Sequence, residues 1–181
     1  MAITPTLASV EALFRKLERE SYRAYHAHSK IHKADHFFNF CVTAHGMRDY
    51  LLEHLGKITP QDKTSFHKQW EANSLLVAVS EIANSSKHFC LRDSKTKLPK
   101  RIKTRRVTLR KSKFMDVYVN SDGDTKPVER LGNDIAVTLS DGNRFELYAF
   151  TAEVLKYWKT TLLSHSVHIS RQPFARLQGA T

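Results

Sequence analysis

The spacing of apolar residues changes period once along the chain, and this constrains the fold more than any single motif. Up to about residue 90 apolar side chains recur every three or four positions; after Pro99 they alternate with polar ones. The first pattern belongs to helices that bury one side, the second to half-buried strands. Leu7, Val10, Phe14, Leu17 and Tyr25 approximate the stripe of a first helix, expected from near Thr6 into the low thirties. The polar, histidine-rich stretch His26 to His36 predicts a helix end or a bend. A second helix is expected over roughly Ala34 to Leu55, closed by Gly56 and Pro60 in the usual order. A third is expected from Pro60-Gln61-Asp62 to about Cys90, its apolar side carrying Phe66, Trp70, Leu75, Leu76, Val79 and Ile82.

In the second half, Val107 and Leu109, then Met115, Val117 and Val119, alternate with polar residues, and Ser121-Asp122-Gly123-Asp124 is turn chemistry. Ile135, Val137 and Leu139 predict a further strand. Asp141-Gly142 then predicts a hairpin leading into Phe145, Leu147 and Ala149. Thr151 reads as the N-cap of a closing helix, with Glu153 in its first turn and Val154, Trp158 and Leu162 on one side. That helix is expected to pack its Trp158 side on the sheet or back on the bundle. The fold expected is therefore α+β: a bundle of about three long helices, then a small antiparallel sheet of three or four strands, then a C-terminal helix. The division expected is 1–93 for the bundle and 94–181 for the basic β unit with its helix, the two together forming at most one compact domain.

Charge narrows the function. The 181 residues carry a net charge of +11, and the excess is not spread evenly. Between Asp93 and Asp116 there is no acidic residue, while Lys95, Lys97, Lys100, Arg101, Lys103, Arg105, Arg106, Arg110, Lys111 and Lys113 supply ten positive charges. Such a concentrated field attracts polyanions and speeds their encounter. The competing account is an exposed strand edge kept from aggregating by its lysines. Aromatic residues near the run are few, Phe114 and Tyr118, which favours contact with a nucleic-acid backbone over base stacking.

No apolar run reaches the roughly 20 residues that cross a bilayer, and Met1 to Pro5 lack the pattern of a signal peptide. Cys41 and Cys90 stand far apart in mostly apolar surroundings and read as buried thiols, so a cytoplasmic setting is expected. With six glycines and no phosphate-cradling loop, dinucleotide fingerprint or nucleophile elbow, a nucleotide-loop enzyme is improbable and no cofactor is called for. His28, His32 and His36 share four-residue spacing, but they cross the expected bend, so a solvated histidine face is favoured over a metal site.

The segment Arg48-Asp49-Tyr50-Leu51-Leu52-Glu53-His54 resembles the signature of HEPN-type ribonucleases, in which an arginine precedes a histidine by several positions on a helical bundle. The resemblance implies metal-independent RNA cleavage in a cleft formed by two subunits, and hence a homodimer. Arg48 would hold the phosphate, His54 would be the acid/base, and Asp49 would orient the arginine. Histidine titrates near neutrality and arginine forks onto phosphate oxygens, so the chemistry is coherent. Arg23 and His28 satisfy the loosest form of the same pattern, and the basic β unit lies outside it.

Near the end of the third expected helix, Ala83-Asn84-Ser85-Ser86-Lys87-His88-Phe89 resembles a segment found in uncharacterised bacterial helical proteins, to which no activity attaches. Lys87 and His88 are candidates for phosphate contact beside the basic run. Alternatively, Asn84 bonds across the bundle and fixes its register. Two functions stand at this point, ahead of a third reading, a purely structural, oligomer-forming protein. One is a nucleic-acid-associated protein, RNA before DNA, with a HEPN-like endoribonuclease as its sharpest form. The other is a non-enzymatic binding or assembly module whose basic strands hold nucleic acid or an acidic protein.

Overall fold

A computed structural model describes residues 6–57, 59–85 and 104–169. Within them the chain is α+β, with five helices and three antiparallel strands. The first helix, α1 (Val10–His26), starts later than Thr6 because the Ser9 hydroxyl caps it, accepting the Ala12 N–H at 3.1 Å. It ends at an extended Ala27, and Ser29 caps α2 (Lys30–His54). The bend expected among the histidines is this break.

The third expected helix is two. Thr59 caps α3 (Pro60–Glu71), which begins on Pro60. The chain then breaks at Ala72-Asn73, and the Asn73 side-chain oxygen accepts the N–H groups of Leu75 and Leu76 at the start of α4 (Ser74–Ser85). Helical spacing runs through Asn73 unchanged, but its side chain competes for the backbone donors and restarts the helix. The reach to Cys90 lies outside the described residues.

After residue 103 the alternating segments form one long hairpin. Strands β1 (Thr104–Val119) and β2 (Thr125–Leu139) pair in register from Arg106 opposite Thr138 to Val119 opposite Thr125. Gly123, at φ +83°, makes the turn between them. The Asp141-Gly142 hairpin joins β2 to β3 (Arg144–Glu146). Strand β3 is only three residues long. Leu147, read from sequence as a strand residue, opens the closing helix α5 (Leu147–Ser164). Thr151 is accordingly not its N-cap: it is buried one turn inside, its hydroxyl donating to the Tyr148 carbonyl. Leu147 satisfies both periods, and the helix wins because Leu147, Phe150, Val154, Trp158 and Leu162 then share one buried side.

A single apolar cluster runs through both halves of the chain. It joins Phe14 and Leu17 of α1, Phe40 and Met47 of α2 and Leu76 of α4 to Ile135 and Val137 of β2 and to α5. Trp158 meets the bundle, with its ring 5.2 Å from Trp70, and α5 also touches β2 and β3. Burial pushes the Cys41 thiol far up, as suits an inert core residue. No helix among the described residues is long and apolar enough to cross a membrane.

Candidate nucleic-acid interface

Of the basic residues singled out from sequence, Lys87, His88, Lys100, Arg101 and Lys103 lie outside the described residues, and so does the side chain of Arg105. The remainder lie on β1 and divide by partner. Arg110 pairs with Glu146 at 2.5 Å and Lys113 with Glu129 at 2.9 Å. Arg106 and Lys111 are exposed and form no ion pair among the described residues. The start of β1 is pinned to the bundle, the Thr104 N–H donating to the Glu81 carboxylate of α4 at 2.6 Å.

Where the hairpin meets the ends of α1 and α2, the structure gathers residues that sequence reasoning did not connect. Lys33 is 2% exposed, and its ammonium donates to the carbonyls of Ala24 and Tyr25, both at 2.7 Å. It thereby closes the last turn of α1, whose carbonyls have no helical donor. The same ammonium lies 6.0 Å and 5.8 Å from the rings of Tyr25 and Phe114. Arg130 stacks on the other side of this group, 5.1 Å from the Phe114 ring, and bonds Asp116 at 2.8 Å. Tyr25 also meets Tyr148 and His26, and His26 packs on Tyr22 at 4.1 Å. Burial, then the Lys33 charge, hold His26 below its ordinary range. Only the Tyr22/His26 spacing was visible locally; the other members come from four separate segments.

Behind these rings lies a carboxyl pair. Burial, and then Glu146, push Asp134 up, whereas Arg110 outweighs burial and holds Glu146 down. The buried Oε2 of Glu146 has no donor while both groups are ionised. The raised Asp134 is the carboxyl of the pair that protonates first as pH falls, and its O–H can then supply one.

The Arg48 segment sits elsewhere, on α2. Arg48 reaches Asp49 at 3.3 Å and donates to Nδ1 of His67, on α3, at 3.3 Å. Burial and the Arg48 charge hold His67 below its ordinary range. His54 is exposed and stands six positions on, about 120° around the helix. It lines a cleft of about 450 Å³ with Asp49, Tyr50 and Glu53, against the chain at 7–10. Asp49 thus joins both members of the sequence pattern, while Arg48 faces a histidine the pattern did not include. Arg23, of the looser match, pairs with Glu20.

His28 precedes the α2 cap, so the three histidines do not share one helix, and His36 bonds Glu20 at 2.9 Å. Among the described residues no group of three His, Cys, Asp or Glu is placed to hold a metal ion. Asn84 bonds Ser80 of its own helix rather than crossing the bundle. No family model, curated protein or solved structure matches the chain.

Proposed function

We propose that this protein binds nucleic acid, RNA in preference to DNA, through the basic run from Lys95 to Lys113. The observation that carries this is the run itself: ten positive charges and no acidic residue between Asp93 and Asp116. Its described end supports the reading, because Arg106 and Lys111 are exposed on the ribbon and form no ion pair among the described residues. Contacts of this kind fall on phosphates and position the chain without reading sequence. The test is anisotropy titration of a labelled single-stranded RNA and a DNA of the same sequence. Reversing Arg106 and Lys111 to glutamate leaves the fold intact and weakens binding at least about tenfold. Unchanged affinity removes this ribbon from the interface.

The second reading, a metal-independent endoribonuclease, is favoured by one observation: Asp49 bonds Arg48 and shares a cleft with His54. Cleavage of end-labelled RNA in EDTA that is lost in His54→Ala supports it. Cleavage that persists in His54→Ala but is lost in His67→Ala moves the acid/base to His67, and no cleavage leaves a binding module.

A further inference from the structure

One face of the long hairpin changes character along its length. Odd-numbered residues of β1 and their partners on β2 share this face. Near the bundle it carries Ile135 and Val137, both buried; toward the turn it carries Met115, Val117, Val119 and Leu131, which are 60%, 62%, 68% and 65% exposed. Nor does β1 have a strand along its outer edge among the described residues, since the order is β1-β2-β3. A two-stranded ribbon is marginal in water by itself, and proteins guard long apolar edges against pairing. The positive guards of β1 stop at Lys113, before the apolar stretch begins.

Charge along the strand selects the occupant. Arg106, Arg110, Lys111 and Lys113 occupy the first part of β1, whereas Asp116, Asp122 and Asp124 follow in its last part and its turn. Such a strand repels a parallel copy of itself and attracts an antiparallel one. We propose that two copies of this chain pair through their β1 edges, antiparallel, with Val117 facing Val117 on a two-fold axis. The two sheets then become one, and the six side chains of Met115, Val117 and Val119 from both copies form a continuous apolar strip.

Register follows from the antiparallel rule. With Val117 on the axis, Met115 of each copy faces Val119 of the other, and Lys111 comes beside the Asp122–Asp124 turn. An axis at Asp116 sets two carboxylates face to face. An axis at Met115 sets Lys113 against Val117 and Lys111 against Val119. Of these only the Val117 register gives Met115, Val117 and Val119 all apolar partners and sets basic beside acidic; an axis at Tyr118 sets Met115 against Ser121. This contact is on the hairpin and is independent of the α2 cleft that the ribonuclease resemblance implies.

Sedimentation velocity on the full chain over a wide concentration range tests the proposal. The wild type should run as a reversible dimer of the 20.8 kDa chain. Val117→Lys should weaken the dimer at least about tenfold while leaving the melting temperature of the monomer unchanged. Asp122→Lys with Asp124→Lys, outside the proposed nucleic-acid surface, should weaken it as well, and adding Lys111→Glu should restore it. In a Cys90→Ser background, Val117→Cys should cross-link to itself under mild oxidation, because facing Cα atoms in an antiparallel pair lie within disulfide reach. A monomer at every concentration overturns the proposal, as does a dimer indifferent to Val117→Lys. A dimer without the Val117→Cys cross-link overturns the register.

Discussion

Replacing Lys33 with Met is the sharpest test of how the hairpin is held to the helices. Methionine keeps most of the side-chain volume but deletes the ammonium. Two buried carbonyls, those of Ala24 and Tyr25, then lose donors at 2.7 Å, and the rings of Tyr25 and Phe114 lose their shared cation. Leaving a buried acceptor unsatisfied costs about 1–3 kcal/mol. Two of them, the Tyr25 bond being only part-buried, amount to about 3–4 kcal/mol. The Coulombic part is smaller, because Lys33 forms no ion pair with Asp134 among the described residues and bonds the two carbonyls instead. For a chain of this length the loss lowers the melting temperature by about 6–16 °C. Urea unfolding followed by tryptophan fluorescence reads it directly, since Trp70 and Trp158 lie together in the core. A double-mutant cycle with Asp134→Asn should show a coupling below about 1 kcal/mol. A loss under about 1 kcal/mol for Lys33→Met alone would refute the capping role, and a large coupling would make the Asp134 charge, not the carbonyls, the main partner of Lys33.

Two further perturbations probe the same junction. Gly132→Ala should destabilise by about 1–3 kcal/mol in thermal unfolding, because a Cβ there would lie 2.9 Å from the Phe114 ring and 2.7 Å from Arg130; a neutral or stabilising outcome would contradict the packing. Asp134→Asn tests the raised carboxyl through pH. The raised carboxyl binds its proton more tightly folded than unfolded, so wild-type stability falls as pH rises above about 4, where the unfolded chain has released it. Asparagine cannot ionise, so the variant should gain on the wild type with increasing pH. The lowered Glu146 acts in the opposite sense, losing stability as pH falls, but it is common to both proteins. Melting curves that stay parallel between acid and neutral pH would contradict the raised carboxyl.

The fold was legible where one period ruled and ambiguous where two coincided. The switch after Pro99, the Gly56 stop and the Asp141-Gly142 turn each have a local cause, and each element is present. Leu147 suited an alternating strand as well as a helix, and only burial of Phe150 and Trp158 on the same side decides for the helix. Asn73 lies in an unbroken apolar rhythm, so its capping bonds appear only once α4 has turned. Lys33 could not be read as a core residue, because its partners are carbonyls eight and nine residues back and the rings of Tyr25 on α1 and Phe114 on β1. For the candidate site, the charge run was visible in full, but which of its members find a carboxylate among the described residues (Arg110 and Lys113, not Arg106 or Lys111) depends on strand register. The contact of Arg48 with His67 spans a helix junction that no spacing rule covers.

Contact between the basic run and phosphates is read from the salt dependence of RNA binding. Observed affinity for a labelled single-stranded RNA should be measured across a series of potassium chloride concentrations. Each neutralised phosphate contributes about −0.7 to the slope of log affinity against log salt. Engagement of about half of the ten positive charges predicts a slope near −3.5, made shallower by about one to two units in the Arg106→Glu, Lys111→Glu variant. A slope near zero, or no binding at low salt, would contradict it.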